Sequence, residues 1–206
     1  VPVLTLAIVR VWRILGLVVA GALVGAVARW LPQPVEVPGR TGGVEWVLTP
    51  VLPTLVALAA WASFQAVHHP LERTSARPLR QRQAVVVAMA LGIGCAAALA
   101  GVGWSATAAV VVRNLVLLVG LAAGASVLLP AGIGWIVVAL PSAACWLLGA
   151  PPPGLEPPAW AVLLQPAGSV QAWAIAGLVA AAGATAYLVL GGRTSWSPQR
   201  MRGTNA

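Results

Sequence analysis

Residues 105–149 read SATAAVVVRNLVLLVGLAAGASVLLPAGIGWIVVALPSAACWLLG, an apolar stretch with a single charge, Arg113. At about 1.5 Å per residue, one helix of that length would be more than twice as long as the roughly 30 Å of a bilayer's hydrocarbon core. The chain offers a break at Leu129, Pro130, Ala131 and Gly132. Proline removes a donor and glycine leaves the helix readily, so the stretch predicts a hairpin of two spans, 106–129 and 132–149.

The same reading extends outward in both directions. Arg10, Trp12 and Arg13 precede an apolar run from Ile14 to Ala28, predicting a first span over 11–30. Its cationic start and the small residues Ala26, Val27 and Ala28 also fit a signal peptide, but the rest of the chain is equally apolar, which favours a span. Residues 31–45 hold three prolines and three glycines and form the first loop. A second span is expected over 46–68, with Pro50 and Pro53 near its start, and a third over 84–104. Between them lies HHPLERTSARPLRQRQ, residues 68–83. Residues 150–170 begin with five prolines in nine positions and turn apolar again at Trp160 to Leu164, which predicts an outer loop with a short interfacial or re-entrant helix. The last span covers 171–190 and a tail follows over 193–206. The expected fold is all-α: a single transmembrane domain, 1–192, with about six spans.

Composition agrees with a membrane as solvent. The 206 residues are 60% hydrophobic and 8% charged, against about 25% charged in soluble domains. A net charge of +8 arises from arginine alone, without lysine or aspartate. A pI near 11.7 would ordinarily point to nucleic acid, but these arginines sit between apolar segments, where positive charge orients helices toward the cytoplasm. Arg10 and Arg13, then Arg73, Arg77, Arg80 and Arg82, then Arg193, Arg200 and Arg202 fall on one side; Arg29, Arg40 and Arg113 fall on the other with Glu36, Glu45 and Glu156. Both termini are therefore expected in the cytoplasm. Trp12, Trp30, Trp46, Trp104, Trp160 and Trp173 lie near the expected span ends, where an indole buries its ring and keeps its N–H wet. Arginine without lysine in an Ala/Gly/Val/Pro-rich chain resembles the product of a high-GC bacterial genome, and a multi-pass location in the bacterial cytoplasmic membrane follows.

Little in the chain can do chemistry. No glutamate falls in the middle of an expected span, which disfavours proton- or sodium-coupled transport, sodium sites built of carbonyls aside. His68 and His69 point about 100° apart on a helix and have no cysteine or aspartate beside them, so they read as polar residues closing a helix before Pro70 rather than as metal or haem ligands. Cys95 and Cys145 fall inside apolar runs and read as small core residues. No serine has the partners of a triad and no glycine-rich loop reads as a nucleotide site. The expectation is a chain that is not an enzyme and uses no metal or other cofactor. Gly21 with Gly25, and Gly120 with Gly124, have the G-x-x-x-G spacing that lets helices approach closely.

Two features remain as candidate sites. Arg113 and Asn114 are the polar pair within the apolar run, roughly 10 Å inside the start of the fourth expected span. An intramembrane arginine either marks function or snorkels to the headgroups. The basic loop at 68–83 sets topology and meets anionic lipid, and it is long enough to hold a short helix that docks a cytoplasmic protein.

The amphipathic start with Arg10, Trp12 and Arg13, the basic loop at 68–83 and the long outer segment at 150–170 together resemble the membrane subunits of ABC exporters whose permease and ATPase are separate chains. The resemblance is one of architecture over nearly the whole chain. It departs from that family in an uncharged loop between spans four and five and in a short chain. It implies that Glu72, Arg73, Arg77 and Arg80 contact a separate ATP-binding subunit, that Arg113 and Asn114 lie near the substrate path, and that a second permease chain completes it. A non-catalytic accessory subunit of a larger membrane complex is the alternative. The lipid bilayer is a partner on either reading, and nucleic acid on neither.

Overall fold

A computed structural model of the chain describes residues 45–66, 79–102, 106–130, 132–149, 151 and 155–190, and every regular element among them is helical. The helices are α1 (Glu45–Ala66), α2 (Leu79–Val102), α3 (Ala106–Leu128), α4 (Ile136–Leu148) and α5 (Val170–Leu190), with a one-turn 3-10 helix at Val162–Leu164 before α5. The expected span over 11–30 and the tail over 193–206 lie outside the described residues.

Helix α3 is the axis, and it packs against each of the other four helices. Ala108, Val111, Arg113 to Leu115 and Leu117 to Gly120 are buried, as is the run Ala122 to Val127, so α3 is enclosed on nearly every side. Helix α1 meets it through Leu52, Val56, Ala60 and Phe64, an i, i+4 row that forms one stripe. Phe64 reaches past the axis to Tyr187 of α5, ring centroids 5.0 Å apart. Helix α2 leans on Leu115 and Val56 at Gly94, where an added Cβ would lie 3.1 Å from Val56 Cγ1.

The tightest crossing is between α3 and α5. A Cβ at Gly120 would lie 2.5 Å from Ala180 Cα, and one at Gly183 would collide with the Gly120 carbonyl. The G-x-x-x-G pair Gly120 and Gly124 thus meets α5 within the chain: removing side chains lets backbones touch, and dispersion and close polar contacts hold the crossing.

These contacts also set direction. Gly120 lies level with Ala180, and Gly124 with Gly183, so α3 and α5 run the same way. The short step from Val102 to Ala106 turns α2 back against α3. Parallel neighbours need a returning element. From the end of α3 to the start of α5 the return is about 27 Å, whereas α4 with 13 residues supplies only about 20 Å. The remaining climb is made by the 155–169 segment, which folds back into the bundle with Ala161 and Leu163 buried.

Helix ends follow local chemistry. The expected 132–149 span is helical over Ile136–Leu148, because Gly132 to Trp135 form turns whose Ile133 and Gly134 amides donate to the Pro130 carbonyl at 3.1 Å. Helix α2 begins at Leu79, before the expected residue 84: the polar residues Arg80 to Gln83 are good helix formers, and hydropathy marks the apolar run rather than the extent of the helix. Serines inside helices bond backward, Ser142 Oγ to the Val138 carbonyl at 2.8 Å and Ser126 Oγ to the Ala123 carbonyl at 2.7 Å, so their hydroxyls cost little when buried.

Two helices, α3 and α5, have the length and apolarity to cross a membrane. They differ in surroundings: 72% of the most apolar window of α3 is buried and only 17% of that of α5. Outward-facing leucines are bare, from Leu147 at 60% exposure to Leu148 at 74%, with Leu140 and Leu178 between them. Exposed tryptophans occur at both ends of the bundle, Trp135 at the α3–α4 turn and Trp160 and Trp173 at the start of α5.

Candidate functional site

The site is built on α3 and on the segment that climbs back toward α5. Arg113 and Asn114 are both fully buried. A guanidinium is always charged in proteins and carries five N–H donors with no acceptor, so burying it demands several oxygens at once. The chain supplies them from main chain.

Pro157, Pro158 and Pro166 lack N–H groups and hold residues 157–166 away from a regular helix, which leaves carbonyls to spare. Short turns shape the segment: the Ala161 amide donates to the Pro158 carbonyl at 2.9 Å and the Leu164 amide to the Ala161 carbonyl at 2.9 Å. Gln165 Nε2 donates back to the Pro157 and Pro158 carbonyls, each at 3.0 Å, closing the loop on itself. Gly149 permits the close approach, since a Cβ there would sit 2.6 Å from Ala161 Cβ.

Into this curl the guanidinium projects. Arg113 Nη1 donates to the Pro166 carbonyl at 3.0 Å. Nη2 donates to the carbonyls of Gln165 at 2.9 Å and Val162 at 3.1 Å, with a longer contact to that of Leu163 at 3.5 Å. Asn114 Oδ1 accepts from Nη2 at 3.1 Å and from Nε at 3.3 Å, while Asn114 Nδ2 donates to the Leu163 carbonyl at 2.7 Å. Neighbours in sequence normally diverge by about 100° on a helix; here the length of the arginine lets both side chains reach the same segment. Hydrogen bonds to a charged donor contribute about 1.5–3 kcal/mol each, so this cluster outweighs the burial of Leu163 as the tie between segment and axis.

Arg113 therefore ends in protein rather than at a surface. The family models, curated proteins and solved structures contain no match to this chain. What the site can do is read from its own geometry: it holds a buried positive charge and organises backbone around it. Nε, Nη1 and Nη2 all donate to neutral oxygens.

Glu72, Arg73 and Arg77 of the basic loop lie outside the described residues, as do His68 and His69. Arg80 is placed by its backbone in the first turn of α2, and its side chain lies outside the description. Cys145 is buried and Cys95 half-buried, both as free thiols. Among the described residues no three His, Cys, Asp or Glu side chains gather closely enough to hold a metal ion.

Sequence reasoning finds Arg113 and Asn114 but misses their partners, the carbonyls of Val162, Leu163, Gln165 and Pro166, and the bracing role of Gln165. Main-chain oxygens carry no letter in a sequence. The available signal was the run of prolines before and after an apolar triplet, which marks backbone with unspent acceptors.

Proposed function

We propose that the chain is a multi-pass subunit of a larger membrane assembly, contributing helices and lipid contacts rather than catalysis. In this reading it spans the bacterial cytoplasmic membrane about six times with both termini in the cytoplasm. The observation that carries it is the placement of polarity: Arg113 and Asn114 are fully buried and Gly120 meets Gly183 at the α3–α5 crossing, while Leu140, Leu147, Leu148 and Leu178 face outward. Water would penalise such an exterior; lipid solvates it, and small residues are what helices in lipid use to approach one another. Trp135 at one end and Trp160 and Trp173 at the other are placed as interfacial anchors would be. The centre is filled by α3, as befits a subunit that packs sideways.

A second reading, the membrane subunit of an ABC-type transporter, is favoured by the segment before α5, which folds back into the bundle as the outer segment of that family does. On this reading Glu72, Arg73, Arg77 and Arg80 meet a separate ATP-binding subunit, and a second copy pairs with this one around a substrate path near Arg113 and Asn114.

One experiment tests both. A tagged chain is extracted from its native membrane in mild detergent and its stoichiometric companions are identified. Other membrane chains without an ATPase support the assembly-subunit reading. An ATP-binding protein instead establishes the second, and its loss on replacing Glu72, Arg73 and Arg77 by alanine places the contact. A chain recovered in the soluble fraction after a carbonate wash overturns the membrane reading itself, and one that purifies alone overturns the assembly.

A further inference from the structure

Every hydrogen bond of the Arg113 guanidinium goes to a neutral oxygen, either Asn114 Oδ1 or a carbonyl of residues 162–166. Carbonyls are weaker partners for this group than the oxygens of a phosphate, whose geometry matches the guanidinium fork and whose charge would neutralise it. Asn114 Nδ2 donates toward the same segment, to the Leu163 carbonyl. Lifting the segment away would take the carbonyl acceptors from Nη1 and Nη2 and the Leu163 bond from Asn114 Nδ2, while Asn114 Oδ1 keeps Nε in place on the helix, so the outer edge of the guanidinium would face an oxyanion.

The segment is held down chiefly by the bonds an anion would replace. Its own regular structure is the single turn Val162–Leu164, which is too short to hold in water without docking. Its outward residues, Ala159, Trp160 and Pro166, are exposed. Trp160, and Trp173 just beyond, put this end of the bundle at headgroup level if the proposed membrane reading holds, and there phosphate oxygens are abundant.

We propose that Arg113 and Asn114 form a binding site for a phosphate-type oxyanion, and that residues 157–166 are a strap whose carbonyls fill the site in its closed state. The inference rests on the membrane placement given above. The strap and the anion compete for one guanidinium, so anion binding opens the strap and a strap held shut excludes the anion.

The test uses the full chain in maltoside micelles, which hold no phosphate, alone, with added phosphatidylglycerol, and with added inorganic phosphate. Hydrogen exchange is read at the amides of Leu164 and Gln165, which are bonded only within the strap, relative to amides of α5. The expected result is about tenfold faster exchange when the anion is present, within the range usual for coupled equilibria. A response to phosphatidylglycerol alone identifies a lipid headgroup as the source; a response to inorganic phosphate as well identifies a free oxyanion. No response to either overturns the proposal, on wild-type protein and without recourse to a variant. An Arg113→Gln chain that responds as strongly as wild type overturns it too. A chain that stays soluble without detergent overturns the membrane reading, whereas one that needs the micelle and ignores both anions overturns this inference alone.

Discussion

Replacing glycines one at a time along the α3–α5 crossing gives a graded test of the packing. At Gly120 a new Cβ would lie 2.5 Å from Ala180 Cα, 2.8 Å from its nitrogen and 3.0 Å from the Val179 carbonyl. All three atoms belong to backbone and cannot rotate away, so relief requires the helices to separate by about 1 Å, which forfeits up to about half of each dispersion contact along the seam. Overpacking of this kind costs about 1–3 kcal/mol, toward the upper end where the neighbours are backbone, and alanine returns about 1 kcal/mol of helix propensity, so Gly120→Ala is expected to lose up to about 2 kcal/mol. Gly183→Ala should lose more, because its Cβ meets the Gly120 carbonyl head-on. Gly124→Ala is the internal control: its nearest neighbour would be Gly183 Cα at 3.5 Å, an ordinary contact, and Gly177→Ala would meet nothing within 4 Å. Both should match or slightly exceed wild type. Detergent-titrated unfolding followed by circular dichroism ranks the four variants. If Gly124→Ala falls as far as Gly120→Ala, or Gly120→Ala unfolds with wild type, the register of the crossing is wrong.

Asn114→Leu removes two acceptor contacts from Arg113 and one donor to Leu163; a loss of about 2–3 kcal/mol is expected in the same unfolding assay, whereas a neutral outcome would show that the carbonyls suffice. Leu178→Lys puts a charge on an exposed apolar face of α5; in lipid this costs about 2.5–3.5 kcal/mol at mid-helix and should lower the inserted fraction in a translocation assay, while undiminished insertion would argue that α5 faces water. Single cysteines at Gly132 and Gly168, on a background without Cys95 and Cys145, should react with an impermeant thiol reagent from opposite sides of sealed vesicles. Labelling from one side would rule out the transmembrane course of α3.

Long, uninterrupted apolar runs were legible to within a residue or two: 106–129 became Ala106–Leu128 and 171–190 became Val170–Leu190. Hydropathy fixes such elements because the run and the helix end at the same glycine or proline. At α2 they part, since Arg80 and Arg82 extend a helix past the edge of its apolar run. For α4 the apolar run outlasted the helix, because Gly132 and Gly134 allow turns that only the return path between parallel neighbours requires. Gly134 also sits so close to Trp61 that a Cβ would lie 2.8 Å from its Nε1, a contact between residues far apart in the chain that no local pattern encodes. Arg113 stood out by being charged in an apolar setting. Its partners did not, because their contribution depends on backbone conformation, and the same valine and leucine in a longer helix would have offered no free carbonyl.

The separation between Arg113 and its acceptors, 49 residues to Val162 and 53 to Pro166, has a meaning in time. A ribosome adding about 5–20 residues per second needs roughly 3 to 10 seconds to make the strap after it has made the arginine. Through that interval α3 exists with its charge and without its carbonyls, so whatever shelters the guanidinium during synthesis, whether water or insertion machinery, must let go only as α5 arrives. On the membrane reading, nascent chains stalled before residue 162 should therefore hold α3 away from the lipid interior, and the segment that leads into α5 is what commits α3 to its place.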